Sequence, residues 1–261
     1  MLQYLSEIVM NTVPSHKNVV SLQPESDKTD NMLKSFFREN RAFLWLSVVV
    51  FVAMGMALCL VDVRDLHLWL NASHCSFADT FFRYYTSIAD NLVWGCVVAL
   101  LFYKVGDSLF VLSAYLGSGL ITQIVKHIVH APRPSVVFDL ANHPDALPLV
   151  EGVRLHVSNS FPSGHTTAFF AVFMAIALLF AYRTRWRSVY KQMAQTLCFL
   201  LALLGGYSRI YLSQHFAADV FAGGLIAIVS VGFIWFGFAV LQQKYPRFYS
   251  WNLLSCMKKK N

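Results

Sequence analysis

FPSGHTTAFFAVFMAIALLFAY, residues 161–182, sets a polar turn directly against an uncharged apolar run. A membrane helix needs roughly 20 apolar residues to cross about 30 Å of hydrocarbon, and 165–182 reads as such a span. Its entrance is Pro162-Ser163-Gly164-His165. Ser163 can cap the helix, and Gly164 allows close backbone approach. A helix start carries about half a positive charge and free N–H groups, so it favours an anion. His165 would then stand beside that anion, placed to donate a proton.

The rest of the chain has the same character. It is 56% hydrophobic and 13% charged, whereas a soluble domain carries about 25% charged residues. The 22 phenylalanines suit lipid-facing and interfacial positions. The net charge of +7 is spread over short loops and tails, which is a membrane-orientation pattern rather than a nucleic-acid site. Cys59, Cys75, Cys96, Cys198 and Cys256 are odd in number and contain no C-x-x-C, so neither a disulfide framework nor a zinc site is implied. Residues 1–41 lack a long apolar run and do not form a secretory signal peptide. The Asn71-Ala72-Ser73 sequon is given no weight.

We read an all-α, polytopic membrane protein with six transmembrane helices near 42–61, 86–104, 107–130, 165–182, 193–212 and 219–241. Arg83 and Asp90 interrupt the start of the second. Residues 1–41 form an N-terminal tail with an amphipathic look at 1–12. Residues 42–241 form the membrane domain and 242–261 a basic C-terminal tail. With both tails cytoplasmic, 15 of the 21 lysines and arginines fall inside, as the positive-inside rule requires. The outer set is Arg64, Arg83, Lys126, Arg133, Arg154 and Arg209. Leu66–Leu70 reads as a short interfacial helix. The outer connection 131–161 exceeds the length of ordinary loops, and we expect it to lie on the bilayer surface and shape substrate entry.

Two further charged clusters sit at span edges, where charge is costly and usually functional. Lys126 is followed after six residues by Arg133-Pro134, and Pro132 and Pro134 end the helix so that Arg133 turns back towards Lys126. His127 and His130 read as interfacial bystanders. Ser208-Arg209 is followed after five residues by His215 and after three more by Asp219. On a helix, His215 and Asp219 share a face, about 6 Å apart along the axis. The carboxylate can fix the imidazole tautomer and expose the other nitrogen as nucleophile or base. Arg209 can hold two phosphate oxygens at once; Ser208 supports it or the phosphate.

The three clusters fix eleven identities in order: K-x6-R-P, P-S-G-H and S-R-x5-H-x3-D. With them the chain resembles the phosphatidic acid phosphatase type 2 superfamily, which includes membrane lipid phosphatases and soluble vanadium haloperoxidases. The resemblance runs from Lys126 to Asp219 with no departure at a signature position. It implies His215 as nucleophile, forming a phosphohistidine, with Asp219 orienting it and His165 protonating the leaving oxygen. Lys126, Arg133, Ser163, Gly164 and Arg209 would cradle the phosphoryl oxygens, supported by Pro134 and Ser208. It implies no metal or cofactor, and no nucleic acid. The expected substrate is an envelope lipid phosphate: undecaprenyl diphosphate, a lipid A phosphate, phosphatidylglycerophosphate or phosphatidic acid. The expected location is a bacterial inner membrane with the site on the periplasmic face. A lipid phosphotransferase, or an anion or lipid transporter, is the competing reading.

Overall fold

Helices account for the regular structure of the computed structural model, which describes residues 33–143 and 146–254 (backbone only at Ala89 and Asp90). The chain divides into two units, Met1–Ser35 and Phe36–Asn261, and the second carries the fold. The amphipathic stretch 1–12, Cys256 and the lysines at 258–260 lie outside the described residues. In chain order the helices are α1 (Arg41–Leu60), α2 (Val63–Asn71), α3 (Ser76–Tyr85), α4 (Ile88–Tyr103), α5 (Val105–Val129), α6 (Pro134–Val137), α7 (Gly164–Arg183), α8 (Ser188–Tyr211), α9 (Ala217–Lys244) and α10 (Pro246–Ser250).

The helix that opens the sequence argument is the centre of the bundle. In α7, 78% of the most apolar window is buried, against 17–50% in the other long helices. It packs on α5, α8 and α9. Because it is apolar all round, it suits a position enclosed by other helices. Phe170 meets Phe43 and Phe51 edge-on, at 6.3 and 5.6 Å between ring centres, and Phe43 meets Phe199 at 5.4 Å. Such edge-to-face pairs add to plain area burial. The outer helices turn bulky apolar side chains outward at i, i+4 spacing. Val48, Val52 and Met56 do so on α1, Leu116, Leu120 and Ile124 on α5, and Val229 and Phe233 on α9. In lipid these faces need no cover.

Five helical segments are long and apolar enough to cross a membrane: Arg41–Leu60, Val105–Val137, Gly164–Arg183, Ser188–Tyr211 and Ala217–Lys244. This is a multi-pass membrane protein. The sixth expected span, 86–104, is the shorter helix α4, 16 residues long, or about 24 Å at helical rise. At one end of the bundle the Arg183 guanidinium grips both oxygens of the buried Asp107 carboxylate, fastening α7 to α5. The three signature clusters lie at the opposite ends of these helices.

Beside the signature end, α2 spans the expected Leu66–Leu70 and extends to Val63–Asn71. Asn71 is fully buried, and its Nδ2 donates to the carbonyls of Ile210 and Tyr211 at 3.0 and 2.7 Å. It thus satisfies carbonyls that the end of α8 leaves open. The sequon asparagine is a helix cap.

His67, on the same helix, is fully buried between Phe138 and Phe216, and both its ring nitrogens lack a partner among the described residues. Burial pushes its pKa down to about 4, although the Asp219 carboxylate pulls the other way. The folded state therefore binds fewer protons than the unfolded state between about pH 6.5 and 4. Its penalty is absent above the unfolded value and grows as pH falls towards the folded one, reaching on the order of 3 kcal/mol. His67→Phe should raise the thermal midpoint in detergent, with a margin over wild type that widens from pH 7 to pH 4.5. A margin constant with pH would refute the titration argument.

Candidate active site

Each signature cluster is delivered by a helix end. α5 stops at Val129 with His130 in the left-handed region, its N–H bonded to the Lys126 carbonyl. The chain turns, and Pro134 takes the first position of α6, where a missing N–H costs nothing. Arg133 is thereby directed back into the site as expected. Its Nε donates to the Ser158 carbonyl at 2.9 Å and its Nη1 to the Gln214 carbonyl at 3.0 Å. Lys126 Nζ donates to the Asn159 carbonyl at 2.9 Å. The segment 156–160 is thus strapped across both cations. His127 and His130 are exposed.

Ser163 caps α7 as expected, with its Oγ accepting from the Thr166 N–H and hydroxyl at 3.4 and 2.9 Å. Its own N–H donates to the Asp219 carbonyl at 3.0 Å, tying the start of α7 to the start of α9. A Cβ at Gly223 would lie 2.6 Å from the Ser163 carbonyl oxygen, so this approach of α9 requires glycine.

The third cluster departs from the expectation. His215 and Asp219 do not share a helix face, because α8 ends at Tyr211 and α9 begins at Ala217. Ser213 adopts a left-handed conformation (φ 50°), and the N–H groups of Gln214 and His215 both donate to the Arg209 carbonyl at 2.9 and 3.1 Å. This tight reversal sets His215 beside Arg209. Asp219 sits in the first turn of α9, where the helix dipole favours a carboxylate. Its Oδ2 accepts from the Phe216 N–H at 2.9 Å, from Ser160 Oγ at 2.5 Å and from His215 Nδ1 at 3.2 Å. A carboxylate only accepts, so Nδ1 carries the proton and Nε2 is left with its lone pair. Arg133 Nη1 lies 3.3 Å from that Nε2. His215 is buried. Burial first, then Arg209, Arg133 and Lys126, hold its pKa well below the usual histidine range. Its imidazole is neutral at physiological pH.

These groups converge on one cavity of about 550 Å³. Lys126, Arg133, Gly164, His165, Arg209 and His215 form its polar end, and an apolar wall runs along Tyr115, Leu116 and Leu120 of α5. Not every signature residue reaches it. Asp219 stands behind His215, Ser163 is occupied as a cap, and Pro134 shapes the chain turn. Ser208 Oγ donates to the Gly205 carbonyl at 2.6 Å within its own helix, so it braces α8. Four contributors escape the sequence reading. Ser160 holds Asp219, Gln214 holds Arg133 with its carbonyl, Thr86 accepts from Arg209 Nη1, and His156 lines the cavity. None carries a local signal, since each is defined only by a partner far away in sequence. Among the described residues, no group of three His, Cys, Asp or Glu side chains is arranged to hold a metal ion.

Fold and site together define a polytopic helical membrane protein with a cationic, three-histidine cavity at its helix ends. The PAP2 superfamily model matches residues 107–242, just over half the chain, and the protein belongs to that superfamily. Among its relatives, phosphatidylglycerophosphatase B of Bacillus subtilis (strain 168) is 31% identical over 125 residues, covering 48% of this chain and 55% of its own. Undecaprenyl-diphosphatase BcrC of the same organism is 29% identical over 136 residues, covering 48% of this chain and 64% of its own. The chain thus spans between half and two thirds of those relatives. In the crystal structure of the first transmembrane PAP2 type phosphatidylglycerolphosphate phosphatase from Bacillus subtilis, the same fold recurs. It superposes with a TM-score of 0.53 at 21% identity, covering 81% of this chain and 99% of that one.

Proposed function

We propose that this protein is a membrane lipid phosphatase that hydrolyses a phosphomonoester or terminal diphosphate through a phosphohistidine. The carrying observation is the orientation of His215, with Nδ1 against Asp219 and Nε2 beside Arg133 in a cavity that Lys126 and Arg209 also line. Nε2 attacks phosphorus while the bond to the leaving oxygen breaks, and His165 gives that oxygen its proton. Water then cleaves the N–P bond, releasing phosphate and restoring the imidazole. Lys126, Arg133, Arg209 and the Gly164 N–H at the start of α7 stabilise the equatorial oxygens. Phosphoryl transfer asks chiefly for such positioning and charge.

The sixth crossing belongs to the same reading. α4 starts just after Thr86, which holds Arg209 at the site end, and stops just before α5, whose Asp107 grips Arg183 at the far end. On this reading it traverses the bundle, and its 16 residues, shorter than the usual hydrocarbon thickness, suit a locally thinned bilayer. Six crossings would leave both tails, 1–41 and 242–261, on one side, and the lysine and arginine distribution favours the cytoplasmic side of a bacterial inner membrane for them and the periplasmic side for the site. Residues 42–241 then constitute the catalytic domain.

Purified protein should release phosphate from one or more of phosphatidic acid, phosphatidylglycerophosphate, undecaprenyl diphosphate and lipid A phosphates, and should do so in EDTA, because protein cations supply the charge. Activity lost in EDTA and restored by magnesium would overturn the mechanism.

A further inference from the structure

A second cavity of about 300 Å³ adjoins the first, and His156, His165 and Arg209 line both. Its remaining polar wall includes Arg83 and Arg154, and among the described residues no carboxylate lines it. These are two of the three outer cations that the signature leaves unexplained, and the structure brings them to one place. The Arg83 guanidinium is seated deliberately. Its Nη1 donates to the Glu151 carbonyl at 3.1 Å, and it lies over Gly152. A Cβ at Gly152 would come within 2.7 Å of Cζ, a contact the flexible arginine end can relieve, but φ there is +74°, so the backbone favours glycine. Arg154 is anchored to the first cavity, because its carbonyl accepts from Gln214 Nε2 at 3.1 Å while Gln214 Oε1 lies 3.3 Å from Arg133 Nη1. His156 senses the combined field. Burial first, then Arg133, Arg209, Arg154 and Lys126, lower its pKa.

The position of His165 gives this cavity a meaning, provided that the phosphatase reading holds. In-line displacement puts the leaving oxygen opposite the attacking Nε2. The acid that protonates that oxygen is in the wall shared by the two cavities, so the leaving group extends past His165 towards Arg83 and Arg154. Guanidinium groups there suit an anion able to accept two parallel hydrogen bonds. We propose that the second cavity is a subsite for a second phosphoryl group on the leaving side of the scissile bond. The preferred substrate is then a lipid diphosphate, or a headgroup with a second phosphoryl a short linker away, over a lone lipid monophosphate. With a diphosphate, the N–P bond forms at the terminal phosphorus and the bridging P–O bond breaks. The bridging oxygen takes the His165 proton and departs as lipid monophosphate.

The test compares farnesyl diphosphate, farnesyl monophosphate and phosphatidylglycerophosphate with full-length wild type, Arg83→Lys, and the double variant Arg83→Ala/Arg154→Ala. Wild type should favour the diphosphate in kcat/KM. The double variant should lose about 30-fold or more on the diphosphate while keeping monophosphate turnover within about twofold, which also certifies its fold. Arg83→Lys, which retains charge but not the paired geometry, should fall between. A loss confined to phosphatidylglycerophosphate supports the subsite with the linked phosphoryl as its occupant. Equal losses on all three substrates, or no loss on any, overturn the subsite. Wild type inactive on every substrate overturns the phosphatase reading, and the subsite with it.

Discussion

Replacing His215 with alanine should cut phosphate release by at least about 10⁴-fold while leaving the protein folded, since a nucleophile that forms a covalent intermediate has no substitute in the site. The expectation rests on geometry. Of the three imidazoles that line the cavity, His215 is the one with Nδ1 committed to a carboxylate and Nε2 beside Arg133, in the cavity that Lys126 and Arg209 also line. Its depressed pKa keeps the attacking lone pair available below the pH at which an ordinary histidine would be protonated. Rapid quenching with labelled substrate should trap acid-labile, base-stable phosphate on wild-type protein and none on His215→Ala. Retained turnover in the variant, or label persisting after the substitution, would assign the nucleophile elsewhere. Folding is checked independently by thermal midpoint, because the buried imidazole leaves a space about the size of its ring.

Much of this architecture can be read from residue order. The polar turn before Thr166 marks the start of α7 to within one residue, because a capping serine followed by an uncharged run leaves little choice. α8 starts at Ser188, five residues before the expected 193, since its first turn is polar and hydropathy cannot see a helix that emerges from lipid. α4 is legible as apolar but not as short. Lys126, Arg133, Gly164, His165, Arg209 and His215 were expected together, and the structure brings them to one cavity. The expectation failed in detail at His215. An H-x-x-x-D spacing implies a shared helix face, yet the reversal at Ser213 and the carboxylate at the N-terminus of α9 achieve the same pairing without helix between them. Ser160 and the carbonyls of Ser158 and Asn159 could not be foreseen. Carbonyls have no residue identity, and the serine acquires meaning only when the 131–161 connection folds over the helix ends.

Asp219→Asn should lower kcat by about 10² to 10⁴-fold with little change in KM. Oδ2 accepts three bonds, from Ser160, Phe216 and His215. If the amide oxygen of asparagine takes that position, all three survive, but the negative charge that offsets a cationic phosphohistidine is gone. If the amide nitrogen takes it, the Phe216 N–H loses its acceptor and Nδ1 must accept. The imidazole proton then moves to Nε2, where it confronts Arg133 and no lone pair remains for attack. Either outcome penalises the transition state more than substrate binding, because Asp219 does not line the cavity. Ser160→Ala removes one of the three donors and spares the charge, so it should cost only about tenfold in kcat. That ordering separates charge and tautomer control from simple bracing. Equal losses in the two variants, or an Asp219→Asn effect expressed mainly in KM, would mean that the carboxylate serves the helix start of α9 and not the chemistry at His215.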